Sequence, residues 1–310
     1  MRFSVYQESL IGGRKVNQDR MGYSFTRDAL LLLLADGMGG HIQGEIAATI
    51  AMQTIGSLFQ QHAAPRIKKP ERFLEDSFFA AHHEIHRYRA INQLPETPRT
   101  TIVACLIQHN SAFWAHCGDS RLYWMRDGQI LARTRDHSRI ETLIAQGKVD
   151  PSERATHPDR NKLFNCLGAP NMPIVEISRR ASLQGGDVML LCSDGLWSML
   201  PDHVLAQRLQ DNTIVRAVPE LLQTAVGIAG KSSDNVTALA MMWEGGSNSL
   251  HDATTITTHT LPIGTVTTTI QAPRHADLEA ADAFDEAEIE KAIEEIRGAI
   301  EKSSRLTSKN

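Results

Sequence analysis

Two apolar runs in this chain end in the same dipeptide. Leu31-Leu32-Leu33-Leu34-Ala35 leads into Asp36-Gly37, and Val188-Met189-Leu190-Leu191-Cys192-Ser193 leads into Asp194-Gly195. Continuous apolar runs of this length predict strands buried on both faces. Each would deliver a carboxylate at its end, followed by a glycine that lets the chain turn away. If both strands are central, their ends place two acids in one cleft. Two buried, unpaired carboxylates repel each other unless they bind a cation.

A plain Asp-Gly turn is the competing explanation, and Asp127-Gly128 fits it, because it joins two amphipathic strands. Asp36-Gly37 differs, since Met38-Gly39-Gly40-His41 follows. Three glycines in four positions after a buried strand suggest backbone approaching a ligand closely. Other acids sit in similar settings: Asp119 after the strand Ala112 to Cys117, Asp234 before the strand Val236 to Trp243, and Asp19 in Asn17-Gln18-Asp19. Singly, each is more often a turn residue. Together they form an all-oxygen set at strand ends, which suits Mg²⁺ or Mn²⁺ over zinc or copper.

Composition narrows the function further. The formal net charge of −4 offers no electrostatic footprint for nucleic acid or an anionic membrane. The run Ala29 to Ala35 is too short to span a bilayer, and the first eight residues lack the apolar centre of a signal peptide, so a cytoplasmic location is expected. Cys105, Cys117, Cys166 and Cys192 form no Cys-x-x-Cys pair and predict small buried thiols.

Residues 1–244 form one continuous α/β unit. Helices are expected over Glu45 to His62, Glu71 to Ala90, and Asp202 to Ala229 with a break before Pro219. Strands are expected over Phe3 to Glu8, Ala29 to Ala35, Thr101 to Gln108, Ala112 to Cys117, Leu122 to Arg126, Gln129 to Arg133, Val188 to Ser193 and Val236 to Trp243. Consecutive strands with grouped helices indicate layered sheets rather than strict β-α-β alternation. Residues 245–275 are Thr-rich and predict a flexible linker. Residues 276–304 are acidic, with Ile289, Ile293, Ile296 and Ile300 on one stripe of an amphipathic helix, and 305–310 form a tail.

The ordered motifs Arg14…Asn17-Gln18-Asp19, Ala35-Asp36-Gly37-Met38-Gly39-Gly40, Gly118-Asp119-Ser120-Arg121, Asp136-His137-Ser138, Ser193-Asp194-Gly195 and Asp234-Asn235-Val236-Thr237 resemble the metal-dependent protein phosphatases of the protein phosphatase 2C type, in their compact bacterial form. The resemblance covers residues 1 to about 244. It implies an α+β fold, a four-layer α-β-β-α sandwich of two antiparallel sheets flanked by helix pairs, here with a C-terminal extension. It implies two Mn²⁺ or Mg²⁺ ions and a weaker third. Asp36 would bridge the first two, the Gly37 carbonyl would bind the first, and Asp194 and Asp234 would complete the second. Asp119, with Asp194, would hold the third, and Asp19 would support the cluster through water. Arg14 would grip the substrate phosphate with its planar fork, and residues from about Ile140 to Gly168 would form a flap beside the site. The activity implied is in-line hydrolysis of phosphoserine and phosphothreonine in proteins by a metal-activated bridging water.

Several positions depart from the family pattern. Gln18 stands where many members have Glu, and Met38 where animal members carry a His proposed as general acid. Arg99 replaces a usual Gly, and Asn165-Cys166 replaces a segment that often carries Arg before Leu-Gly. His82, His83 and His86 are expected on a solvated helix face, and His41 as a structural or supporting residue. Alternatives to a protein phosphatase are a catalytically weak regulatory module on the same fold and a phosphatase of small phosphomonoesters. The expected partners are phosphoproteins, substrates of a companion Ser/Thr kinase. The C-terminal helix would bind a partner protein or the phosphatase domain.

Overall fold

Leu30, Leu32 and Leu34 point to one side of their strand and Leu31 and Leu33 to the other, and all five are buried. A strand with two buried faces needs a layer on each, and these layers organise the molecule. The computed structural model describes residues 1–38, 43–63, 66–154 and 157–245, with the backbone of Thr268–Thr269. In chain order the elements are β1 (Arg2–Leu10), β2 (Asp19–Phe25), β3 (Ala29–Asp36), α1 (Gly44–His62), α2 (Pro70–Ile91), β4 (Ile102–Gln108), β5 (Ser111–Cys117), β6 (Arg121–Arg126), β7 (Gln129–Arg133), α3 (Arg139–Ala145), β8 (Glu176–Ile177), β9 (Ala181–Ser182), β10 (Val188–Cys192), α4 (Asp194–Trp197), α5 (Asp202–Asp211), α6 (Ile214–Ala229), β11 (Val236–Gly245) and β12 (Thr268–Thr269).

One sheet runs β1-β11-β10-β6-β7 and the other β12-β2-β3-β4-β5-β8, with β9 also on β5. The pairs are antiparallel except β12 on β2, which is parallel. Between the sheets lie Leu30, Leu32, Leu34 and Val103 from one and Met189, Leu191, Met241 and Trp243 from the other. Leu31 and Leu33 face outward against Ile55 and Phe59 of α1 and Leu74 and Phe78 of α2. Leu190 and Tyr123 face outward against Leu205 of α5 and Leu221 and Leu222 of α6. The four-layer α-β-β-α expectation therefore holds, and full burial of each of these leucines contributes about 2 kcal/mol.

Several expectations need correction. The break between α5 and α6 falls at Asn212-Thr213, and Pro219 lies inside α6. Strand β2 was not foreseen, nor were α3 and α4. His82 is buried rather than solvated: its Nδ1 accepts from the Gly168 amide, and His86 Nε2 lies 2.9 Å from the Ala169 carbonyl. These two histidines tie α2 to the end of the 140–168 segment. Asp127 and Gly128 both have positive φ, as a two-residue hairpin turn requires. All four cysteines are buried and free.

The chain divides between Ile270 and Gln271. The expected helix over 276–304, the tail 305–310, His41, and the linker apart from Gly245 and Thr268–Thr269 lie outside the described residues.

Candidate metal and phosphate site

Antiparallel pairing gathers strand ends. In the second sheet, Asp19 at the start of β2 sits directly opposite Asp36 at the end of β3. Strand β5 stops at Cys117 and the chain passes Asp119 before β6 begins at Arg121. In the first sheet β10 ends two residues before Asp194, and β11 begins two residues after Asp234. All five carboxylates thus collect at one end of the sandwich.

Like charges placed this closely hold on to protons. Burial, then Asp19, Asp194, Asp119 and Asp234, push the Asp36 carboxyl well above the ordinary range. Burial, then Asp119 and Asp234, do the same to Asp194. Asp19 is pushed up to about 6 and Asp119 to about 7, each mainly by burial. A carboxylate cluster of this kind is costly in its charged form without cations.

Backbone and hydroxyl groups fix each acid. The Asp36 carbonyl accepts from the Thr101 amide and Thr100 Oγ1, both at 2.8 Å. Asp19 Oδ2 accepts from Ser193 Oγ at 2.8 Å and Thr237 Oγ1 at 2.5 Å. Its other oxygen, Oδ1, is buried with no hydrogen-bond partner among the described residues. The Asp119 carbonyl accepts from Trp197 Nε1, and the Arg121 guanidinium lies 3.6 Å over the Trp197 ring while making a bidentate pair with buried Asp136. Asp136 of the Asp-His-Ser motif therefore supports Arg121 and, through Trp197, Asp119.

Glycine follows Asp36 and Asp194 for reasons of space. A Cβ on Gly37 would lie 2.4 Å from the Gly44 carbonyl carbon, and one on Gly195 would lie 2.1 Å from the Asn235 carbonyl oxygen. Gly195 sits within α4, so the expected sharp turn at that position is instead a close approach.

Arg14 follows β1, and its Nη2 is 2.7 Å from Asp234 Oδ2. Asn235 Nδ2 donates to the carbonyls of Ile11 and Val16, while its Oδ1 accepts from the Gln18 amide. Asn235 thereby pins the Arg14 loop to the Asp234 loop. Gln18 Nε2 donates to Glu45 Oε2 in the first turn of α1. Glutamate at 18 would face Glu45 with like charge, whereas the amide bonds it. Ser193, Thr237, Asn235, Trp197 and Glu45 were not foreseen as site residues; the hydroxyl and amide groups flanking Asp194 and Asp234 were the available signal.

A second titratable cluster, His116, His137 and Glu176, brings its ligand-type atoms within 4.8 Å of one another. His137 Nδ1 accepts from the Gly118 amide and Asn165 Nδ2, so its Nε2 carries the proton and faces Glu176. His116 Nε2 in turn lies 2.7 Å from the Arg135 carbonyl, to which it donates. The tautomers make this a hydrogen-bonded buttress rather than a metal site.

Beside the carboxylates lies a cleft of about 540 Å³, lined by Asp119, Asp194 and Asp234 together with Trp197, Met199, Leu200, Pro201, Ser152, Arg154, Arg160 and Asn161. The donor set is all oxygen, its charges repel, and Asp19 Oδ1 lacks a partner among the described residues. These residues fit divalent cations that prefer oxygen ligands.

The model of the protein phosphatase 2C family matches residues 7–226. This chain belongs to that family. It is 31% identical over 211 residues to the serine/threonine protein phosphatase PstP of Mycobacterium tuberculosis, covering 68% of this chain but only 40% of that relative's length. It is 27% identical over 228 residues to the serine/threonine phosphatase stp of Listeria innocua, covering 73% of this chain and 90% of the relative. The catalytic domain of PstP, solved in complex with two manganese ions, superposes with a TM-score of 0.65 at 28% identity, covering 77% of this chain and 97% of that domain.

Proposed function

We propose that this chain is a metal-dependent phosphatase of phosphoserine and phosphothreonine in proteins. The convergence of Asp19, Asp36, Asp119, Asp194 and Asp234 beside Arg14, at the mouth of an open cleft, carries the reading. The two manganese ions of the related PstP domain support it. Asp36, Asp194, Asp234 and the Gly37 carbonyl would hold two Mn²⁺ or Mg²⁺ ions. Asp119, with Asp194, would hold a third, and Asp19 would support the cluster through water. When bound, the cations supply a water acidic enough to attack phosphorus near neutral pH.

The chain's own groups do the positioning. Arg14 meets two phosphate oxygens with its fork and so aligns the phosphoryl group for in-line attack. Ser193 and Thr237 hold Asp19, and Trp197 holds the Asp119 loop. Met38 carries no proton to donate, so the leaving alkoxide takes its proton from water. Burial lifts the Cys166 thiol to about 11, which leaves it unreactive.

The same proposal places the protein in the cytoplasm, opposite a companion Ser/Thr kinase. Among the described residues no helix is long and apolar enough to cross a membrane. The acidic segment 276–304 is assigned to binding a partner protein or the phosphatase domain. Deleting 245–310 tests that assignment: a large change in the catalytic constants favours the phosphatase domain, and unchanged constants fit a partner or a simple tether.

Phosphate release from phosphoserine, phosphothreonine and phosphotyrosine peptides, with Mn²⁺, Mg²⁺ or excess chelator, tests the activity. Metal-dependent release from the first two is expected. Release that is indifferent to chelator contradicts it.

A further inference from the structure

Five arginines line the cleft, and four of them are committed. Arg14 pairs with Asp234, Arg121 with Asp136, Arg133 with Asp202, and Arg154 with Asp136 and Glu141. Arg160 is exposed and makes no ion pair or side-chain hydrogen bond among the described residues. The nearest acid in sequence, Asp159, is already held by Arg139 at 2.9 Å and Lys162 at 2.7 Å. A free guanidinium therefore stands on the cleft wall formed by the 140–168 segment. Met199, Leu200 and Pro201 add apolar surface to the same cleft.

We infer that Arg160 is a specificity residue that receives an acidic side chain flanking the phosphorylated residue of a peptide substrate. The inference rests on the phosphatase reading and adds the substrate class. Three features support a peptide rather than a small phosphomonoester. The cleft runs well beyond the volume a phosphoryl group needs. Its lining offers apolar contact at Met199, Leu200 and Pro201, and it offers Ser152 and Asn161 as hydrogen-bonding groups besides Arg160. A carboxylate there pairs the one cleft arginine that has no partner among the described residues. Arg14, paired with Asp234, serves the phosphate, which leaves Arg160 for a second anionic group. Guanidinium–carboxylate pairs on a partly exposed wall give modest gains, expressed as discrimination between substrates rather than as turnover.

The test compares two phosphothreonine peptides that differ only in their flanking residues, alanine or glutamate, with Mn²⁺ present. The full chain, Arg160→Ala and Arg160→Lys are each assayed, and the ratio of kcat/KM for the two peptides is read. Because the ratio is internal to each preparation, partial misfolding of a variant cancels. The full chain is expected to favour the glutamate peptide about three- to ten-fold, mainly through KM. Arg160→Ala should bring the ratio close to one, and Arg160→Lys should restore part of it. A ratio near one in the full chain, or an undiminished ratio in Arg160→Ala, overturns the assignment. Hydrolysis of the alanine peptide by the full chain separates this failure from that of the phosphatase reading, since only the latter predicts no release from either peptide.

Discussion

Arg14 Nη2 and Asp234 Oδ2 meet at 2.7 Å, although 220 positions separate them in the chain. The pair is about half-exposed, so it adds little to stability. Its consequence is positional: the arginine is held beside the acids by the loop that Asn235 pins. Arg14→Ala should lower kcat/KM for a phosphopeptide by about a hundred-fold while leaving the melting temperature nearly unchanged. Arg14→Lys should recover only part, because an ammonium cannot bridge two oxygens with a fixed fork. Steady-state kinetics and thermal melts check both.

Asp36 is the most crowded of the acids, with four others acting on it. Replacing it with asparagine removes an acid that the metal-free cluster forces to hold its proton. Asp36→Asn should therefore melt higher than the parent protein in chelator, by about 1 kcal/mol or more, and should lose the stabilisation that Mn²⁺ gives the parent. Melting curves with and without Mn²⁺ are the measurement.

Burial of the acids, with repulsion added, fixes a pH dependence. Asp19 near 6 and Asp119 near 7 lie above the ~3.9 of an unfolded-chain aspartate. The native protein thus binds more protons than the unfolded chain from about pH 4 to about 7. The stability these groups contribute is complete below that window and is lost as pH rises through 6 and then 7. In chelator the melting temperature should fall between about pH 5 and about pH 7.5. With Mn²⁺ the trend should reverse, because metal binding displaces those protons.

Arg121 and Asp136 are both buried and joined by two bonds of 2.7 Å. Truncating one leaves the other charged and unpaired. Asp136→Ala should destabilise the fold by about 3–5 kcal/mol, seen as a lower urea midpoint. Because Arg121 also supports Trp197 beneath Asp119, the surviving folded enzyme should need more Mn²⁺ for half-maximal rate.

Much of the fold was legible because its central strands are continuous apolar runs, whose burial does not depend on finding a partner face. Ala29 to Ala35 and Val188 to Ser193 matched β3 and β10 almost residue for residue. Strand β2 escaped notice because it opens with Asp19 and Arg20 and carries Gly22, all of which suggest a loop. Its alternating Met21, Tyr23 and Phe25 held the signal. Pro219 misled because its ring was expected to break the helix, but the carbonyl it deprives belongs to Val215, an exposed residue in the first turn of α6. His82 looked solvated because the chain that covers it, at Gly168 and Ala169, is more than eighty residues away. The acids themselves were visible from their positions at strand ends. The groups that hold them, Ser193, Thr237, Asn235 and Trp197, depend on how two sheets meet, which local pattern does not encode.

The most direct measurement is Mn²⁺-dependent phosphate release from a phosphothreonine peptide by the parent chain and by Asp194→Ala, with folding of both verified by melting. Release by the parent that stops in chelator, and a loss of about a thousand-fold or more in Asp194→Ala, is the expected result. Undiminished release by Asp194→Ala, or no release by a folded parent under any metal, contradicts hydrolysis at this carboxylate cluster.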